Sequence, residues 1–156
     1  MRKLLLSAFL VCYSATSFAE PLITSVRQGD NLWRIEGKDL KGVSGMTLDL
    51  TYSSDNKEKP QVLQGDAVAG WLMVSNTTKP GRIRIAMVSA SPIAIEENGV
   101  VASVRFGNNA SVTSISAELI DSRGKPIKYS SRIGADEGFR KNVQPRPGMT
   151  FTLSNP

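Results

Sequence analysis

Histidine is absent from this 156-residue sequence, and the single cysteine, Cys12, lies near the N-terminus. The absence of histidine removes the commonest general base of enzymes and the commonest zinc ligand. Beyond Cys12 the chain has no thiol nucleophile, no thiolate metal site and no disulfide. The motifs of phosphate-binding loops, dinucleotide-binding turns and serine hydrolases are also missing. Among the common catalytic classes, only Ser/Lys and paired-carboxylate enzymes therefore remain open.

Long apolar runs, dense charge and aromatic residues are scarce as well. The one extended apolar run, residues 4–13, is too short to span a bilayer as a helix, so we expect no membrane span. The formal net charge is +5, but the dense basic cluster of strong nucleic-acid binders is missing, so we expect no nucleic-acid partner. Aromatic residues make up only 6% of the chain, and a core of this size needs most of them.

The N-terminus has the pattern of a secretory signal peptide. Arg2 and Lys3 precede the apolar run, and Ala19 ends a small-residue cleavage site. We expect cleavage after Ala19 and a secreted or periplasmic product, residues 20–156, whose net charge falls from +5 to +3 with the loss of Arg2 and Lys3. A buried N-terminal helix and lipidation at Cys12 are the alternatives, although the residue before Cys12 is not the small one that a lipoprotein signal requires.

Beyond the signal peptide, the sequence is dominated by short alternating patterns. In GVSGMTLDLTY, residues 42–52, apolar and polar side chains alternate strictly, which indicates a strand with one face in a core and one face in water. Residues 82–88 and 100–106 alternate in the same way, with Val100, Ala102, Val104 and Phe106 facing inward. The other predicted strands are residues 22–26, 32–36 (Trp33 and Ile35 inward), 61–64, 71–75, 114–120, 125–129 and 149–153, with a short extended piece at residues 93–95.

About nine short strands, separated by turns at near-regular spacing, predict an all-β sandwich of the jelly-roll or immunoglobulin-like type. No stretch carries a sustained helical period of apolar residues. Residues 20–156 are expected to form one domain, in which the polar, Gly- and Pro-rich residues 134–147 form a loop. About 137 residues are enough for a core that holds a domain together without disulfides.

Four motifs occur in a recognisable order: the strand at residues 42–52, Gly65-Asp66 after the next strand, GRIRIAMVSAS at 81–91 and NGVVASVRF at 98–106. This order resembles the cohesin domain of bacterial cellulosomes and the carbohydrate-binding-module-like sandwiches related to it. The resemblance covers roughly residues 22–129.

The resemblance implies a nine-stranded jelly roll that binds and does not catalyse. The implied partner is a dockerin-like protein or a polysaccharide, with a link to carbohydrate binding and polysaccharide catabolism; the oligomeric state is left open. Gly45 and Thr47 stand where the family tends to carry Asn and Asp, and the tail beyond Ser130 has no counterpart in the family. The resemblance therefore supports the fold better than it supports the identity of the partner. The alternative function is a small structural, secretion-associated or pilus-associated cell-envelope protein that uses the sandwich for assembly. A wall-degrading enzyme is a third, more distant option.

A partner-binding face is predicted from the same resemblance. The family strand order implies that residues 43–52, 82–88 and 100–106 lie in one sheet, which would bring their outward polar residues together. Guanidinium groups on a flat face suit a protein partner that presents carboxylates, whereas a solvated face with cross-strand charge pairs is the simpler alternative. The predicted partner-binding residues are Thr47, Asp49, Arg82, Arg84 and Arg105.

Three further candidate sites are weaker. Trp33 and Trp71 could stack sugar rings, but the core competes for them. Glu96 and Glu97 are adjacent, so on a strand they would point to opposite faces and could not converge on one glycosidic bond. The acidic turns at residues 121–124 and 136–137 lack the spaced ligands of a calcium loop. We therefore expect no catalytic residue, no cofactor and no metal site.

Overall fold

In a computed structural model, the residues described here are 19–55, 58–94, 98–107 and 109–134. They contain ten strands and one 3₁₀ turn, Asp66–Val68, where the sequence predicts about nine strands. Among these residues no helix is long and apolar enough to cross a membrane. The strands are β1 (Leu22–Arg27), β2 (Leu32–Lys38), β3 (Val43–Ser54), β4 (Gln61–Gln64), β5 (Leu72–Asn76), β6 (Arg82–Val88), β7 (Gly99–Arg105), β8 (Ala110–Asp121), β9 (Pro126–Ile127) and β10 (Ser130–Gly134).

The strands form two five-stranded sheets that face each other as a sandwich, which confirms the predicted fold class. Sheet I has the order β10-β1-β2-β7-β4, and sheet II has the order β5-β6-β3-β8-β9. Neighbouring strands are antiparallel except for β1 and β10, which run parallel. One core of apolar side chains from both sheets lies between them.

Burial follows the alternation read from the sequence. Leu48, Leu50, Ile83 and Ile85 on β3 and β6 are fully buried, because every second residue of a strand faces the same side of its sheet. Trp33 on β2 is buried as predicted, and its indole N–H donates to the carbonyl of Ala110 over 3.1 Å. That hydrogen bond satisfies the one polar group of the largest core side chain.

The prediction that residues 100–106 share a sheet with β3 and β6 is wrong. Strand β7 lies in sheet I, paired with β2 and β4. A register shift opposite Ile35 and Glu36 also makes Val101, and not Val100, a fully buried residue. Alternation shows which residues of a strand share a face, but both sheets bury one face, so the pattern does not reveal the sheet to which a strand belongs.

Several strand bounds differ from the predicted ones. Strand β8 begins at Ala110, four residues earlier than expected, and no strand forms at residues 93–94. Strand β10 was not predicted, and it includes Gly134, the expected first residue of the loop at 134–147. The rest of that loop and the predicted last strand, residues 149–153, lie outside the described residues.

Strand β10 exists because the chain changes sheets after β9. Where the short β9 ends, side chains take over the edge of β8: Ala117 N–H donates to the Tyr129 hydroxyl over 2.9 Å, and the Ser131 hydroxyl donates to the Ile115 carbonyl over 3.1 Å. The chain then joins sheet I beside β1. Polar side-chain contacts of this kind leave no periodic apolar signal, so the sequence pattern does not reveal the crossing.

The Gly65-Asp66 motif is structural. The Gly65 N–H donates to the Val101 carbonyl over 2.9 Å, and a Cβ at Gly65 would collide with the Val100 carbonyl. The Asp66 carboxylate accepts hydrogen bonds from the backbone N–H groups of Val100 and Ala67 over 3.1 and 3.0 Å. The motif therefore fastens the turn after β4 onto β7.

Candidate partner-binding surface

The outer face of sheet II is a grid, because the register of its strands places outward side chains in rows. Four strands contribute, in the order β5, β6, β3 and β8. The first row is Leu72, Val88, Gly45 and Ile120; the second is Val74, Ala86, Thr47 and Glu118; the third is Asn76, Arg84, Asp49 and Ser116; in the fourth, Arg82 is followed by Thr51 and Ser114. We call the first two rows the apolar end and the last two the charged end.

The apolar end exposes large aliphatic side chains to solvent. Leu72 is 68% exposed, Val74 63%, Val88 49% and Ile120 37%. Within the part of the chain that the structure describes, only six large hydrophobic side chains are exposed, and these are four of them. They border an open depression of about 350 Å³. Clustered apolar exposure, unlike scattered single residues, is typical of an interaction site.

Gly45 keeps the apolar end flat. A Cβ at this position would lie 2.7 Å from Cγ1 and Cδ1 of Ile120, so the Ile120 side chain lies across the glycine. Gly45 is one of the two positions at which the sequence departs from the family tendency toward Asn and Asp. A polar residue there would push Ile120 away and interrupt the apolar row.

The charged end is organised around Asp49. Arg82 donates through Nε and Nη2 to Oδ1 over 3.2 and 3.0 Å, and Arg84 donates through Nη2 to Oδ2 over 2.7 Å. The hydrogen bond from Arg84 is the largest cause of the lowered pKa of Asp49, and the same bond raises the pKa of Arg84. This is the cross-strand charge pairing that the sequence left open as the simpler alternative. It orders the two guanidinium groups.

Four of the five predicted partner-binding residues lie together on this face: Thr47, Asp49, Arg82 and Arg84. Arg105 does not, because β7 lies in sheet I, where Arg105 is paired with Leu32 and Gln61. Its predicted place beside the other four is therefore wrong.

The exposed aliphatic residues of the apolar end were missed by sequence reasoning. A signal for them exists at residues 72–74, where Leu-Met-Val has apolar side chains on both faces of a strand. A strand with one wet face should alternate, so a continuous apolar run at this place indicates a second contact surface.

An aromatic sugar-binding strip is not present in the described residues. Trp33 is buried in sheet I, while Trp71 precedes β5 of sheet II and is half-buried against the core. Tyr52 packs on Phe106, with ring centroids 4.9 Å apart. The sugar-stacking hypothesis is wrong for the buried Trp33, whereas sugar stacking by the half-buried Trp71 stays a prediction.

Of the remaining acidic candidates, only the turn at residues 121–124 lies within the described residues. The Asp121 carboxylate accepts hydrogen bonds from the backbone N–H groups of Lys125 and Arg123 over 2.9 and 2.8 Å, and the Lys125 bond is the largest cause of its lowered pKa. No group of three or more Cys, Asp or Glu that could hold a metal ion occurs in the described part of the chain. Glu96, Glu97 and residues 136–137 lie outside it.

A scan of the sequence against models of known protein families finds no match, and a comparison with curated proteins finds none either. Comparison with solved structures does find relatives of the fold. A non-cellulosomal cohesin from the hyperthermophilic archaeon Archaeoglobus fulgidus is 18% identical with a TM-score of 0.59, covering 75% of this chain and 88% of that one. Two type I cohesin–dockerin complexes from Clostridium thermocellum give TM-scores of 0.54 and 0.52 at 16% and 18% identity, each covering 74% of this chain and 97% and 93% of theirs.

The two sheets and their common core define the chain first as a β-sandwich. The structural matches narrow this class: the fold is cohesin-like, as the motif order predicted.

Proposed function

We propose that this chain is an exported, non-catalytic protein-binding module whose partner binds the outer face of sheet II. The observation that carries the proposal is the apolar end, where four exposed aliphatic side chains lie in two neighbouring rows. The similar structures support it, since two of them are cohesins in complex with dockerins. The predicted signal peptide supports action outside the cytoplasm.

The partner is proposed as a protein, without restriction to a dockerin. The Archaeoglobus relative is a non-cellulosomal cohesin, so the fold also occurs outside cellulosomes. A polysaccharide partner is less well supported, because the described aromatic residues are buried or half-buried. Assembly of a cell-envelope structure through the same face is the second candidate function, and the apolar end favours it equally.

The test compares two aspartate variants on opposite sheets. Leu72→Asp places a charge in the apolar end, while Leu63→Asp places one on β4 of sheet I, where Leu63 is 49% exposed. The secreted protein is used to capture partners from the native extracellular or periplasmic extract, and each captured protein is purified and titrated against both variants. We expect Leu72→Asp to weaken binding by about 1 kcal/mol or more and Leu63→Asp to leave it unchanged, with both melting temperatures near that of the wild type.

Sedimentation of the purified chain separates the two candidate functions. Self-association that Leu72→Asp abolishes would favour assembly over a separate partner. Partners that bind both variants as tightly as the wild type would exclude the outer face of sheet II as the binding surface.

A further inference from the structure

A second feature of the same face is an open cleft of about 150 Å³ beside the hairpin between β5 and β6. It is lined by Asn76, Lys79, Arg82 and Arg84. Three of the four lining side chains are cations. Two carboxylates act on them: Asp49 on β3 is bonded to both arginines, and Glu118 on β8 attracts Arg84 electrostatically. The cleft therefore presents more positive charge than its surroundings neutralise.

Several N–H donors of the arginine and lysine side chains in this cleft have no acceptor among the described residues. Arg82 and Arg84 both direct Nε and Nη2 at Asp49, while a guanidinium also carries two N–H groups on Nη1. Among the described residues, no acceptor contacts Nη1 of either arginine or the Lys79 ammonium.

Asp49 acts here as a positioning residue. From β3 it holds the guanidinium groups of Arg82 and Arg84, two residues apart on the neighbouring strand β6, through hydrogen bonds to both. A binding group whose side chains are already ordered loses less conformational entropy when the ligand arrives. An anion that entered the cleft would meet two ordered guanidinium groups together with the Lys79 ammonium.

We infer that this cleft binds a carboxylate of the partner protein, so that the partner combines aliphatic residues with an acidic residue at a set distance. The inference rests on the proposed function and adds the chemistry of the partner. Arg84 lies four residues from Val88 on β6, which is about 14 Å at the rise of a strand. Val74 is paired with Ala86, which is two residues, or about 7 Å, from Arg84. A ligand that covers both ends must therefore carry aliphatic and anionic groups about 7 to 14 Å apart. Protein side chains supply both, whereas nucleic acids and polysaccharides lack the aliphatic groups.

The first test uses acetate as the probe and needs no partner. Backbone amide shifts are followed by NMR while sodium acetate replaces sodium chloride at constant ionic strength. We expect shifts at residues 79–84 that saturate and that disappear in Lys79→Ala. Equal spectra in acetate and chloride would overturn the inference, and so would shifts spread evenly over all exposed lysines and arginines.

The second test selects a random peptide library on the wild type, on Lys79→Glu and on the matched control Lys38→Glu, whose lysine is exposed on β2 of sheet I. Lys79 has no role in holding Asp49, so its reversal leaves the arginine network intact. We expect wild-type and Lys38→Glu selections to enrich acidic residues beside aliphatic ones, and the enriched peptides to bind Lys79→Glu about fivefold more weakly.

Two results separate the inference from the proposed function. If the selected peptides need Leu72 for binding but are not enriched in acidic residues, the proposed carboxylate site is wrong and the proposed binding face is still supported. If Leu72→Asp weakens the binding of none of the selected peptides, both the proposed binding face and the inference are wrong.

Discussion

The outer faces of the two sheets are built from the same kind of strand and differ in what they expose. On sheet I, Val26, Arg34, Ser103 and Leu63 form one row, in which Leu63 at the edge is the exposed large apolar residue. Arg34 there pairs loosely with Glu36 over 3.7 Å. On sheet II, apolar and charged side chains are separated into two ends. Both faces carry charge, so the two sheets differ in the order of their outward residues and not in the presence of charged groups.

The largest expected effect concerns the inner faces, which the two sheets share. Ile85 is fully buried on β6, so Ile85→Ala should lower the free energy of unfolding by about 2–5 kcal/mol through lost burial and a cavity. Urea denaturation measures the change. The control is Ala86→Ser at the next, outward position, which should alter stability by about 0.5 kcal/mol or less. Similar losses at both positions would contradict the assigned faces.

Gly65 and Gly45 both lie in close contact with other residues, but the neighbouring atoms differ in how easily they can move. A Cβ at Gly65 would meet the backbone of Val100, which cannot move easily, whereas at Gly45 it would meet the end of the flexible Ile120 side chain. We expect Gly65→Ala to cost about 1–3 kcal/mol of stability and Gly45→Ala clearly less. Thermal unfolding of the two variants measures the difference. An equal cost would show that Ile120 is held more firmly than its exposure indicates.

Arginine reversals test the corrected position of β7. Arg84→Glu breaks the bond to Asp49 and changes the charged end, so it should weaken partner binding by about 1 kcal/mol or more. Arg105→Glu, on the outer face of the other sheet, should leave binding unchanged. Calorimetric titration of both variants with a purified partner measures this. Equal losses for both would restore the original prediction that the two residues act together.

The smallest expected effect is a pH dependence at Asp49. Because the folded pKa of Asp49 is lowered, its ionised form stabilises the fold above the unfolded pKa of about 3.9, and this contribution is lost as the pH falls through the folded value. Asp49→Asn should therefore be less stable than the wild type by about 1 kcal/mol or less at neutral pH, with the gap closing in strong acid. Unfolding curves at pH 7 and pH 2.5 give the comparison, and a gap that persists in acid would contradict it.

Much of the fold follows from local patterns in the sequence. Strands β4 and β6 have the predicted bounds, and the alternation of β3 and β6 correctly assigns Leu48, Leu50, Ile83 and Ile85 to the core. Alternation has a physical cause that acts within one strand, so a single sequence is enough to read it. The outward position of Thr47 and Asp49 on β3, and of Arg82 and Arg84 on β6, followed from the same cause, while the pairing of these two strands was predicted from the family resemblance.

The assignment of strands to sheets could not be read in this way. Arg105 was misplaced because pairing depends on contacts between distant residues, such as Trp33 with Val104, which no local pattern encodes. Strand β10 was missed because the Tyr129 and Ser131 hydroxyls, and not an apolar period, hold the crossing to sheet I. The apolar end was missed because it forms only where β5, β6 and β8 bring Leu72, Val88 and Ile120 into one row, and that row depends on pairing between distant residues.

The parallel pair of β1 and β10 has a mechanical consequence. Leu22 lies beside Ser130 and Val26 beside Gly134, so the start of β1 and the end of β10 lie at opposite ends of the pair. A tensile force applied between these two points pulls the strands along their length in opposite directions. The five paired positions would then be loaded together in shear, whereas an antiparallel pair pulled at one end opens one rung at a time. Resistance to such a force is governed by the unfolding rate. A module that holds a partner under flow or tension would gain from this arrangement.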